Sequence, residues 1–363
     1  MSAPPPSRGP AWGAGPADGS VRRITTLDAH AGGEPLRIVT GGLPPLAGAT
    51  MLERRREMHA RHDWVRRALM WEPRGHADMY GCVLTPPISP GADYGVLFMH
   101  NAGYSTMCGH GVIALVTALV ETGTHPAPGP ETHVTLDTPA GLVRATAHRD
   151  RAGRVERVTF LNVPSFLYAR DVSVSVPGAG TVAVDVVFGG AFYAVLPAER
   201  FGLSVEPEQR AALVAAGEAV KRAVIAALPI EHPDAPELGF LYGTILTGPP
   251  EDAAHHSRNI CVFANAEVDR SPTGTGVSGR VAQLAERAGG ALAHGRAIEI
   301  ESILGRRSVF SARVAQPAQV GKFPAVVPEV GGTAFLTGRS EFLLDPRDPL
   351  REGFLIEEPG SMS

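Results

Sequence analysis

At 363 residues the chain is long enough for two substantial domains, and its 44% hydrophobic content suits a protein that buries real cores. A formal net charge of -4 gives no general pull toward nucleic acid or anionic lipid, so neither nucleic acid nor a membrane is an expected partner. Three cysteines without a CxxC pair exclude a disulfide framework and a thiolate zinc site, and fit a reducing, cytoplasmic setting.

Residues 1–20 are rich in Pro, Gly, Ala and Ser and carry too little apolar surface to fold, which predicts a disordered tail without a signal-peptide core. No run of about 18 apolar residues offers a membrane span. Structure is expected from Val21, where VRRITTLDAH and PLRIVTGG read as short strands separated by the turn-rich AGGE. From Thr50 to about Met70 the apolar residues Met51, Met58, Val65 and Leu69 recur at helical spacing, with Pro73 just beyond. Arg54, Arg55, Arg56, Arg61, Arg66 and Arg67 on this helix are interleaved with Glu53, Glu57 and Asp63, and no aromatic platform accompanies them. They read as a solvated face.

Two later stretches show the same signals in the same order. The first runs from the strand-like YGVLFMH (94–100) through NAGYSTMCGHG into the helical GVIALVTALVETG, then into the alternating HVTLDTPAGLVRATA. The second runs from NICVFAN (259–265) through AEVDRSPTGTG into VSGRVAQLAERAGG, then into AIEIESILGRRSVFSARV. Cys108 precedes Gly141 by 33 residues and Thr273 precedes Gly305 by 32, so the repeat is in register. A pseudo-twofold arrangement would bring Cys108 and Thr273 face to face across a cleft.

A glycine-rich turn at a helix start aims unpaired N–H groups outward, where the helix dipole adds about half a positive charge. Two such ends form an anion site for a small carboxylate, and Gly109, Gly111, Gly274 and Gly276 permit close approach. The same field is expected to lower the thiol pKa of Cys108, with His110 beside it. Cys82 and Cys261 read as small buried hydrophobes. GTGVSG lacks the Lys-Ser/Thr of a phosphate-binding loop. Neither His59 with His62 nor His255 with His256 has neighbours completing a tetrahedral set, so no metal is expected.

The MCGHG segment (107–111) together with DRSPTGTG (269–276) resembles the paired active-site motifs of the proline racemase superfamily. DAHAGGEPLRIV (28–39), EPRGHADMYG (72–81), FGGAFYA (188–194) and FLYGTIL (240–246) extend the likeness over about residues 24–356. The resemblance implies an α/β (α+β) fold of two pseudo-symmetric halves, diaminopimelate epimerase-like. Each half would be a curved, mostly antiparallel sheet around a central helix, with the active site in the cleft between them. The first half would comprise 21–167 plus a returning segment 338–357, and the second 168–337.

Racemases and epimerases of this superfamily flank the substrate Cα with two cysteines. Thr273 in place of the second resembles the subgroup that dehydrates trans-3-hydroxy-L-proline, a lyase chemistry that needs no cofactor. By resemblance Cys108 is the acid/base and Thr273 occupies the opposite face. Gly109, His110, Gly111, Gly274 and Thr275 would bind substrate, Asp269 would balance its ammonium charge, and Phe263 would be a pocket aromatic. Arg306 and Arg307 depart from the small residues the family carries there. Two rival readings are a proline racemase or hydroxyproline 2-epimerase, and a silent amino-acid-binding protein. No residue pattern fixes the oligomeric state, for which a homodimer is the working expectation.

Overall fold

One strand order occurs twice along the chain, each time wrapped around a helix. The computed structural model describes residues 19–287 and 296–356, so the tail expected at 1–20 lies outside the described residues apart from Gly19 and Ser20. The first set comprises β1 (Arg22–Ala31), β2 (Glu34–Gly41), α1 (Met51–Met70), β3 (Tyr80–Thr85), β4 (Tyr94–His100), β5 (Tyr104–Ser105), α2 (Gly109–Glu121), β6 (Glu131–Thr138), β7 (Gly141–Arg149) and β8 (Val155–Leu161). Next come β9 (Ser165–Val176), β10 (Gly180–Phe188), β11 (Phe192–Pro197), α3 (Arg210–Ala227), β12 (Leu241–Gly248), β13 (Ser257–Phe263), β14 (Glu267–Asp269) and α4 (Gly274–Arg287). The chain continues with β15 (Ile298–Ser302), β16 (Gly305–Val320), β17 (Phe323–Gly332) and β18 (Ala334–Leu344).

The pairings repeat strand for strand. β2 runs parallel to β3, β3 antiparallel to β4, β4 antiparallel to β5 and parallel to β6, and β6 to β8 form a meander. In the second half β11 runs parallel to β12, β12 antiparallel to β13, β13 antiparallel to β14 and parallel to β15, and β15 to β17 form a meander. β17 also pairs with β8 and β9, which joins the halves. β18 returns to lie antiparallel to β1, from Ala31 opposite Ala334 to Arg22 opposite Leu344. Because β9 pairs with β10 and β17, and β18 with β1, we propose the division near residues 162–164 and 333; boundaries at 168 and 338 cut through strands.

α2 is apolar on every side, as a helix enclosed by strands must be: every residue from Gly109 to Val120 is buried. α4 is likewise buried from Gly274 to Gln283. α1 covers the outside of the first half and starts as its sequence suggests. The Thr50 side chain accepts the Glu53 N–H at 3.1 Å, and Glu53 reaches back to the Ala49 N–H at 2.7 Å. Its arginines correct the expectation of a uniformly solvated face. Arg66 is buried, donating to the His100 and Asn101 carbonyls and to Asp63, and Arg55 donates to the Tyr104 carbonyl. Carbonyls from the end of β4 to the start of β5 receive these guanidinium groups, a demand that helical periodicity does not register. No described helix is long and apolar enough to cross a membrane.

Candidate active site

The buried helices α2 and α4 meet at their N-terminal ends. A Cβ added to Gly109 would stand 2.4 Å from the Gly274 Cα, and one added to Gly274 would stand 2.6 Å from the Gly109 Cα. Only glycine at both positions allows this contact, and it places the residue before each helix at one small cavity.

Cys108 caps α2. Its sulfur accepts the Gly111 N–H at 3.2 Å and lies 3.2 Å from His110 Nδ1. His110 Nδ1 is in turn 3.9 Å from an Asp269 carboxylate oxygen, and the imidazole stands edge-on to Tyr80. The expected lowering of the thiol pKa is overturned. Burial, and then the charge of Asp269, push Cys108 well above the ordinary thiol range, while the Gly111 N–H pulls the other way. Burial also lowers the pKa of His110, against the opposing charge of Asp269.

Thr273 precedes α4 in a left-handed conformation, φ +68°, that a β-branched residue adopts only under constraint. The constraints are visible. Asp269 accepts the Ser271 N–H at 2.7 Å, Ser271 Oγ accepts the Thr273 N–H at 3.1 Å, and Asn259 donates to the Pro272 carbonyl at 3.3 Å. Buried Arg280 holds Asn259 at 2.7 Å. The Thr273 hydroxyl itself is buried and has no hydrogen-bond partner among the described residues.

The cavity brings together Cys108, Gly109, His110, Phe263, Asp269, Thr273, Gly274 and Thr275, all singled out from the sequence. Gly111 lies behind Cys108 and serves it through its N–H instead of lining the wall. Arg306 and Arg307 are exposed and away from the cavity, with Arg306 paired to Glu251, so neither intrudes. Tyr80, Tyr193, Tyr242, Met107 and Cys261 complete the lining. Reading Cys261 as a core hydrophobe missed that it lies against Thr273, although burial and Asp269 hold its thiol protonated. The void is about 20 Å³, room for a water and far short of an amino acid.

A second layer spans both halves. Glu34 from β2 is fully buried and accepts the Arg270 N–H at 2.7 Å; burial and the nearby Asp269 raise its pKa. His100 from β4 contacts Glu267 from β14 at 2.8 Å. Among the described residues no group of three His, Cys, Asp or Glu side chains is placed to hold a metal.

The family profile described as Proline racemase matches residues 26–355. The chain belongs to the proline racemase family. It is 50% identical over 337 residues to a trans-3-hydroxy-L-proline dehydratase of Burkholderia cenocepacia, covering 92% of this chain and 98% of that protein. It is equally 50% identical, with the same coverage, to a 3-hydroxyproline 2-epimerase of Burkholderia multivorans. The crystal structure of a hydroxyproline epimerase from Agrobacterium vitis with bound trans-4-hydroxy-L-proline superposes with a TM-score of 0.85 at 32% identity, covering 92% of this chain and 95% of that one. The two-half fold is therefore that of this family.

Proposed function

We infer that this chain is a trans-3-hydroxy-L-proline dehydratase, a hydro-lyase. The observation that carries the reading is the unequal pair at the two helix starts, a thiol at Cys108 and an alcohol at Thr273. A threonine hydroxyl is far too weak an acid to share a thiol's role, so two-face proton exchange at Cα is disfavoured. In the trans isomer the 3-hydroxyl and the Cα hydrogen lie on one ring face, and chemistry from the Cys108 side alone is enough for syn elimination. The several relatives named as trans-3-hydroxy-L-proline dehydratases support the same activity.

The first N–H groups of α2 and α4 receive the carboxylate and stabilise the charge that builds on it as the Cα proton leaves. Donors of this type contribute roughly 10²–10³ in rate each. In the empty site Cys108 is held as a thiol. A substrate ring ammonium beside Asp269 offsets one of the charges responsible, so binding itself moves Cys108 toward thiolate. The thiolate removes the Cα proton and the 3-hydroxyl departs as water. The resulting enamine tautomerises to Δ1-pyrroline-2-carboxylate. No step calls for a metal or organic cofactor.

Cys261 favours a second reading, Cα inversion, because it supplies a protonated thiol on the Thr273 side. One experiment separates the two. The enzyme is given trans-3-hydroxy-L-proline, its cis isomer and L-proline in D2O, with mass spectrometry for water loss and chiral chromatography for inversion. Water loss confined to the trans isomer supports the dehydratase. Inversion with deuterium at Cα and no imine product would replace it with the epimerase.

A further inference from the structure

Dehydration needs a proton on the departing oxygen, because hydroxide is a poor leaving group. Several cavity-lining groups could supply it, and most are already engaged. The His110 imidazole faces the Cys108 sulfur at 3.2 Å, and burial lowers its pKa. The Tyr80 hydroxyl shares a short hydrogen bond with Ser105 Oγ, and the Tyr193 hydroxyl is 2.7 Å from Thr275 Oγ1. Tyr242 is the exception among the three tyrosines. Its hydroxyl is buried and has no partner with hydrogen-bond geometry among the described residues, although the Tyr80 hydroxyl is a close neighbour. Leaving such a group unmatched costs about 1–3 kcal/mol unless a ligand completes it.

The ring that carries this hydroxyl is fixed on three sides. It stacks on Phe263 at 5.3 Å and stands edge-on to Tyr193 at 5.9 Å and to His100 at 6.0 Å. His100 is anchored by Glu267, so residues of both halves hold Tyr242 in place.

We propose that Tyr242 is the general acid that protonates the leaving 3-hydroxyl, an assignment that rests on the dehydratase reading. The Cα–H proton passes to the Cys108 thiolate, the Cβ–O bond breaks, and the Tyr242 proton goes to the departing oxygen to give water and the enamine. The proton held by Cys108 then returns to the Tyr242 phenolate by way of Tyr80, whose hydroxyl neighbours both groups, so each ends as it began. Burial and the charge of Glu267 hold the phenol protonated until the C–O bond lengthens.

Tyr242→Phe removes only the hydroxyl. The wild-type enzyme is first shown to lose water from trans-3-hydroxy-L-proline; failure at that stage overturns the dehydratase reading and this role with it. With that established, the variant should lose water roughly 10²–10⁴-fold more slowly. It should still exchange the Cα hydrogen in D2O and still expel chloride from trans-3-chloro-L-proline, whose leaving group needs no proton. Water loss within about tenfold of wild type, or an equal fall in both eliminations, would overturn the assignment while leaving the dehydratase reading intact. Should the Phe variant not fold, 3-fluorotyrosine at position 242 keeps the hydroxyl and makes it more acidic. The alkaline limb of kcat for water loss should then move to lower pH and that for chloride loss should not; an unmoved limb for water loss counts against Tyr242.

Discussion

Adding one methyl group at the meeting point of the two helices should disable the enzyme without unfolding it. Gly109 is the first residue of α2 and needs no left-handed backbone there, and alanine is the better helix former by about 1 kcal/mol. The effect of Gly109→Ala is therefore steric. Its Cβ would stand 2.4 Å from the Gly274 Cα, whereas ordinary contact begins at 3.4 Å, so the helix starts must separate by about 1 Å. That neighbour is backbone and cannot rotate away. A misplacement of about 1 Å costs on the order of 10²-fold in rate, while overpacking costs about 1–3 kcal/mol of stability. Steady-state water loss and thermal unfolding measured on one preparation should show the first loss exceeding the second. Gly274→Ala should behave alike, and the double variant should lose less than the two singles combined, because the first methyl has already opened the gap. If Gly109→Ala keeps half the wild-type turnover, the close contact is not what sets the geometry of the site.

Cys108→Ser is nearly isosteric and should lower dehydration by roughly 10²–10⁴-fold with the melting temperature little changed; activity within about tenfold of wild type points to another base. Thr273→Cys should add epimerase activity on hydroxyproline or racemase activity on proline, read as deuterium entering Cα with inversion, and retention alone would mean that residue 273 does not address the second face. Since the base is the thiolate and its pKa is raised, alkylation of Cys108 by iodoacetamide should climb with pH from neutrality past the ordinary thiol range. Asp269→Asn removes one cause of that rise and should shift the curve to lower pH; peptide mapping that finds it unmoved contradicts the electrostatic account. Tyr242→Phe, with its chloride-expelling control, completes the set.

Much of this site is legible in local patterns of the chain. Cys108 and Thr273 stand out because glycine-rich helix entries leave a local mark, and the matched spacings to Gly141 and Gly305 report that both turns belong to one repeating unit. The extent of α1 is legible from the helical spacing of Met51, Met58, Val65 and Leu69, with Pro73 just beyond. Tyr80, Tyr193, Tyr242 and Cys261 are not legible. They come from β3, β11, β12 and β13, where a wall-lining side chain and a core side chain obey the same alternation. The direction of the thiol pKa shift escapes sequence reasoning because a helix end is visible in the chain, whereas complete burial and the approach of Asp269 from the other half are products of folding.

The strand-for-strand correspondence of the two halves bears on how such an enzyme acquires a direction. A frame with local twofold symmetry offers both faces of a flat intermediate a helix terminus and a glycine, with an extended entry at Cys108 and a left-handed one at Thr273. The repeated strand order by itself favours neither forward nor mirror-image delivery. Chemical polarity then comes from the residues seated before the two helices, a thiol in one and an alcohol in the other. In a framework of this kind the exchange of one side chain is the expected route from a reversible traffic between mirror partners to a one-sided reaction, which Thr273→Cys tests in reverse.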